Sequence, residues 1–240
     1  MGQEFNDQDL SDAVFWGVDL SRSHFRDVNF ANTTMKNVWM INVDLDGIVD
    51  RLVVNGVDVT DYVNARDPWQ PLRGMLRPTD RAGLLAAWTE LERVWASLIE
   101  RAGQLTDAQR RQSVDGEWSI MQTLRHLVLV MDKWVTVPLN NGSLHPIGIP
   151  NTDSADHPWP GLDPDADPSF AETLAVRAER AAQFGEFLRA IATTDDIACE
   201  VEVPDNGIAT VIECIYTVFE EELEHHRCAQ RDLTQLESHR

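Results

Sequence analysis

The chain has 240 residues, 43% of them hydrophobic and eight of them Trp, enough apolar mass for one large domain or two modest ones. Its formal charge of −20 argues against direct contact with nucleic-acid phosphates, which needs a basic face. No apolar run of about 18 residues suggests a membrane span, the opening MGQEFNDQDL is too polar for a secretory signal, and Cys199, Cys214 and Cys228 lack C-x-x-C spacing, which suits free thiols in a reducing cytoplasm.

Leu10, Phe15, Leu20, Phe25, Phe30, Met35, Met40 and Leu45 recur every five residues. Two residues before each lies a second series: Gln8, Ala13, Val18, Ser23, Val28, Thr33, Val38 and Val43. From Ala13 on it is small or β-branched. A helix needs apolar spacings of about three and four, and a half-buried strand about two. A fixed short period instead signals a solenoid, in which stacked units bury a shared core. The segment resembles the pentapeptide repeat family. That resemblance implies a right-handed quadrilateral β-helix with both series pointing inward and four five-residue sides per coil, so these eight units make about two coils, assigned to residues 1–50. Two coils rise only about 10 Å at the ~5 Å spacing between strands. That is too short to imitate a useful length of duplex, as topoisomerase-binding pentapeptide proteins do. A structural cap on the following domain, or a dimerisation surface, is the expected purpose.

Two β-rich runs then flank Asn55-Gly56 in RLVVNGVDVTDYVN, the strongest short hairpin signal. A Pro-punctuated stretch, DPWQPLRGMLRPTD, follows, and residues 51–77 read as hairpin and linker. From residue 78 to residue 240 the pattern is helical. Leu84, Leu85, Trp88, Leu91, Val94, Trp95, Leu98 and Ile99 predict a first helix over residues 81–102, with Thr79 or Asp80 as its N-cap. The second helix, about residues 119–137, is the most apolar, hence the most buried. Residues 138–169 hold seven of the eleven prolines, and a loop this long is more often functional than idle. The third helix spans about residues 168–192, IACEVEVP is a short strand-like link, and the fourth helix spans about residues 208–238. Four helices with one long connection suggest a four-helix bundle whose short links join antiparallel neighbours.

The chemistry concentrates on three histidines: His126 in the second helix, and His225 and His226 in the fourth. His24, His145, His157 and His239 lie in the repeat, the long loop and the C-terminus. His126 sits among Leu124, Leu127, Val128 and Val130, where a core histidine with one hydrogen bond would also sit. In FEEELEHHR, Glu222 and His226 are four apart on one helix face, and so are Glu221 and His225. A carboxylate and an imidazole at that spacing can share a metal ion. A third ligand from a facing helix would leave an open coordination position, the catalytic zinc arrangement. Without such a ligand, an acidic run is usually a solvated face. Asp132, Lys133 and Arg231 could support the ligands, but their charge suits a surface role better. Cys228, two residues after His226, should point away from a metal there.

VDGEWSIMQTLRHLVLVMDKW and EEELEHHRCAQRDLTQLE resemble the second- and fourth-helix signatures of the DinB/YfiT-like superfamily. The resemblance covers about residues 76–238 and implies a DinB-like bundle with Trp118 opening the second helix. It implies metal ligands at His126, Glu222 and His226, the last because it precedes Arg227. Many members have His where this chain has Glu222; the mycothiol-dependent maleylpyruvate isomerase branch uses His, Glu, His. The doubled histidine leaves Glu221/His225 open as the other register. HPIGIP, residues 145–150, is similar to a motif between helices two and three of actinobacterial relatives. Zinc or nickel would accept this set.

The function so implied is a metal-dependent thiol S-transferase or isomerase. A low-molecular-weight thiol such as mycothiol or bacillithiol would attack a small electrophile, with His145, His157 and Trp159 of the long loop at the entrance. The alternatives are a non-catalytic metal-binding protein and an interaction module built on the repeat. No nucleic-acid or membrane partner is expected, and superfamily members are often homodimers.

Overall fold

The computed structural model describes residues 3–6, 8–25, 28–151 and 159–238. The chain divides into two units, Met1–Val63 and Asn64–Arg240.

In the first unit the five-residue period is written into the backbone. Asp12, Gly17, Arg22, Asn32, Asn37 and Asn42 all have positive φ, left-handed corners spaced at the repeat period. Asn and Gly tolerate that conformation best, which is why they dominate these corners. At alternate corners a turn closes by an i→i+3 hydrogen bond, from Ala13 N to Leu10 O, Ser23 N to Leu20 O and Thr33 N to Phe30 O. Each such turn is braced by the preceding Asx side chain: Asp9, Asp19 and Asn29 accept from the amides of Ser11, Ser21 and Ala31. The expected β-helix goes further than what is seen. Among the described residues no strand precedes Val53, and the whole apolar series from Leu10 to Leu45 is exposed. Eight units provide no interior layer with neighbours on both sides, and solenoids bury their core only by stacking. The hairpin is where the Asn-Gly signal puts it. Strand β1 (Val53–Val54) pairs with β2 (Val57–Asp58). Asn55 at φ 51 and Gly56 at φ 82 supply the two positive φ values of a type I′ turn. A short helix, α1 (Thr60–Asn64), follows.

The second unit begins with α2 (Gln70–Arg73). Helix α3 (Arg81–Gly103) starts where Asp80 caps the amide of Gly83 at 2.8 Å. After α4 (Asp107–Arg110), a Ser119/Gln122 capping box opens α5 (Ile120–Met131). The second helix is not the uninterrupted run expected. A π turn spans Asp132–Thr136, and α6 (Val137–Asn140) follows. Pro138 has no N–H to give the carbonyl one turn back, so the ladder loosens just before it. Helix α7 (Phe170–Ala190) opens on a second capping box, Ser169/Glu172. Helix α8 (Thr194–Ala198) leads to β3 (Glu200–Val203), which pairs with β4 (Gly207–Thr210). Helix α9 (Val211–Ser238) therefore starts later than the apolar pattern suggests, because Ile208–Thr210 belongs to the hairpin. Thr210 and Glu213 form the capping pair at that start.

The bundle is a ring in which α3 packs on α9 and α7, and α5 packs on α7 and α9. Contacts along the helices fix their directions. Tyr216 meets Pro78 near one end of α9 and Glu237 meets Arg101 near the other, so α3 and α9 run parallel. Arg111 meets Asp167 before both helices begin, and Asp132 meets Arg180 further along, so α5 and α7 also run parallel. Parallel neighbours need a connection as long as the bundle, which gives the long Pro-rich loop a topological task. The short links join antiparallel helices, but these lie across the diagonal of the ring. Leu84, Leu91, Leu98, Leu124, Leu127, Phe184, Leu188, Phe219, Leu223 and Leu233 fill the centre, each 0–1% exposed. Burying one such side chain is worth about 1.5–3 kcal/mol.

Candidate metal centre

Helices α5 and α9 face each other in opposite directions. His126 on α5 thereby meets the third turn of α9. His126, Glu221 and His225 each offer a ligand atom, and these atoms all lie within 4.8 Å of one another. Glu221 Oε2 is 3.5 Å from His126 Nε2 and 3.1 Å from His225 Nε2. Donor atoms about 2.0–2.2 Å from a tetrahedral ion stand roughly 3.4 Å apart, so these separations suit a metal.

His126 is prepared for ligation. Its Nδ1 lies 3.1 Å from the carbonyl of Ile149, which can only accept, so Nδ1 carries the proton. Nε2 then presents its lone pair, and it is buried without a hydrogen-bond partner. A carbonyl that fixes the tautomer in this way is the usual outer partner of a metal-ligating histidine. Burial pushes the His126 pKa below its ordinary value, which keeps the ring neutral. The set offers two imidazole nitrogens and one carboxylate oxygen. Trp118 covers it: its ring lies parallel to His225 with centroids 5.7 Å apart and 4.7 Å from His126. Glu221 and His225 keep 31% and 24% of their side-chain exposure, so one side of the cluster opens to solvent.

The ligand atoms that the structure groups with His126 belong to the alternative pair, Glu221 and His225. Glu222 and His226 do not reach His126. Glu222 is 1% exposed and bound by Arg177 of α7 at 2.5 Å. The Arg177 guanidinium lies 4.4 Å over the ring of Trp95, whose Nε1 donates to the Glu222 backbone carbonyl. His226 donates from Nε2 to the carbonyl of Val94 at 3.1 Å, and the edges of Trp69 and Trp95 enclose it. Burial lowers its pKa to about 4. The pair next to the cluster thus faces α3 and α7, which bind one polar atom of each side chain. Cys228 is three residues on from His225 in the same helix. It is no nucleophile: burial pushes its thiol up to about 11, and it is outside the ligand group.

The HPIGIP loop serves the site through its backbone. The carbonyls of Ile147 and Ile149 accept from Arg125 Nε at 2.7 Å and from His126. The amide of His145 donates to Asp132 Oδ2 at 2.6 Å, while Asp132 Oδ1 accepts from Arg180 at 2.5 Å. Asp132 is fully buried, so it is a clamp between loop and bundle and not a surface charge. The His145 ring stays within its own loop, accepting from Ile147 N. The Trp159 ring lies 5.2 Å from the Lys133 ammonium. Arg231 pairs with Glu117 and Asp232, away from the ligands. His157 and His239 lie outside the described residues. The sequence did carry a signal for Arg177: it falls on the apolar stripe of α7 with Thr173, Phe184 and Leu188, and a charge there implies a buried partner.

Comparison with known proteins gives two matches. A family model for the DinB superfamily matches residues 90–229. Pentapeptide repeats match in eight copies over residues 9–47. No curated protein and no solved structure matches the chain.

Proposed function

The chain belongs to the DinB superfamily, whose match covers more than half its length, and on that premise we propose that its bundle holds one divalent metal ion on His126, Glu221 and His225. The observation that carries this reading is the buried, unpartnered Nε2 of His126, aimed at a carboxylate that a second imidazole also contacts. Two imidazoles and a carboxylate suit zinc or nickel. A bound ion would keep a net positive charge and lower the pKa of a water or thiol beside it.

The chain's own residues divide the remaining work. Ile149 fixes the tautomer of His126, Trp118 holds both imidazoles in place, and the exposed side of Glu221 and His225 admits a ligand. This arrangement supports a thiol-dependent S-transferase or isomerase that joins a low-molecular-weight thiol, of the mycothiol or bacillithiol kind, to a small electrophile. We place its work in the cytoplasm; among the described residues no helix is long and apolar enough to cross a membrane. The five-residue corner period supports a small right-handed β-helix of about two coils as a scaffold segment.

The test is metal content by elemental analysis, with wild type beside His126→Ala and Glu221→Gln. About one zinc or nickel per chain, lost in both variants, is the expected result. Wild-type protein that stays metal-free after incubation with zinc and nickel would sink this reading.

A further inference from the structure

Lys133 lies seven residues after His126, so the two share one stripe of the helix about 10 Å apart along its axis. Side chains on a helix lean toward its N-terminus. Lys133 therefore leans back toward His126, near enough to Glu221 for their charges to interact. Its ammonium lies 5.5 Å from the Trp134 ring and 5.2 Å from the Trp159 ring. The acidic groups acting on it are Asp205 and Glu221. Among the described residues neither comes within salt-bridge distance, in contrast to Arg177, Arg180 and Arg231, which each hold a carboxylate. Lys133 sits in the π turn Asp132–Thr136, and such turns recur at functional sites. Like Glu221 and His225 it is half-buried.

A half-buried ammonium beside two indoles, with no carboxylate of the described residues in salt-bridge contact, is poised to receive an anion. We propose that Lys133 anchors the negative end of an organic anion whose other end reaches the His126–Glu221–His225 cluster. This inference rests on the metal reading above. It narrows the substrate or thiol of that site to a molecule carrying a carboxylate or a similar anionic group. The two indoles form apolar walls along which the body of such a molecule can lie.

The test uses the full chain loaded with cobalt(II), whose visible spectrum reports a thiolate arriving at the metal. Wild type, Lys133→Met and Lys133→Arg are titrated with 6-mercaptohexanoate and with 6-mercaptohexanol, which has the same chain without the charge. Lys133→Met should weaken mercaptohexanoate roughly tenfold, the scale of one lost charge-assisted contact. It should leave mercaptohexanol and cobalt affinity unchanged, and Lys133→Arg should restore much of the loss. Equal weakening of both thiols, or of neither, with cobalt still bound, overturns the anchor alone. Wild-type protein that binds no cobalt overturns the metal reading, and the anchor with it.

Discussion

Helix α9 carries two Glu–His pairs of the same spacing, side by side, and the fold gives them opposite tasks. Glu221 and His225 face α5, meet His126 and remain partly open to solvent. Glu222 and His226 face α3 and α7, where Arg177 holds Glu222 Oε2 and the Val94 carbonyl holds His226 Nε2. One residue along a helix is a rotation of about 100°. That single step separates a set of potential ligands from a buried structural pair. The lesson is that spacing names the chemistry a pair can do, whereas the facing helix decides whether it is free to do it.

The largest effect should come from breaking the buried pair. Glu222→Ala leaves the Arg177 guanidinium buried without its partner, and such a loss costs about 3–5 kcal/mol. Urea denaturation should show it, with Glu221→Ala shifted by less than about 1 kcal/mol in the metal-free protein. Equal shifts for the two variants would erase the distinction between the two faces.

Metal affinity should respond in the reverse order. His225→Ala or Glu221→Ala should weaken zinc at least ~100-fold, because losing an outer partner alone costs about 10–100-fold. Glu222→Gln should keep the ion. A competition titration against a coloured chelator reads both. Retention by Glu221→Ala with loss in Glu222→Gln would return the site to the other register.

Acid should expose the buried face. The folded His226 pKa is depressed to about 4 by burial, against roughly 6.5 in the unfolded chain. Between those values the unfolded chain takes up the proton and the folded one does not. Stability is therefore full above pH ~6.5 and falls by roughly 3 kcal/mol as pH drops to about 4, at 1.36 kcal/mol per unit. Denaturation midpoints with chelator present, at neutral pH and near the lower value, should show this slope. His226→Phe should flatten it, and an unchanged slope in that variant would assign the effect to other groups.

The smallest effect belongs to a charge pair of similar geometry in water. Arg93 and Glu90 on α3 meet at 2.5 Å but are 65% and 34% exposed. Arg93→Ala should change stability by no more than about 0.5 kcal/mol. A loss near that of Glu222→Ala would show that burial is not what separates the two pairs.

Much of this protein is legible in its residues. The first long helix starts where Asp80 can cap it and ends one residue past the predicted limit. The Asn55-Gly56 hairpin and the Ser119 start of α5 follow from local turn and capping chemistry. His126 stands out in the sequence as the one histidine on the most apolar helix, and the structure places it beside Glu221 and His225. Other features depend on distant groups. Ile208 reads as helix until β3 pairs with it. Asp132 reads as a surface charge until Arg180 and the His145 amide enclose it. The repeat predicts inward-pointing side chains, yet the side chains from Leu10 to Leu45 remain exposed because burial needs a stacked neighbour.

The sequence by itself determined the five-residue period, the helical faces, the caps and the types of ligand available, because these rest on contacts within a few residues. Only the tertiary structure decided the register of α9. Arg177, Trp95 and Val94 lie 45, 127 and 132 residues away from the groups they hold. A helix has no local reason to prefer one of two adjacent faces. The choice is made where desolvated charges find partners, and those partners reach α9 only when the bundle closes.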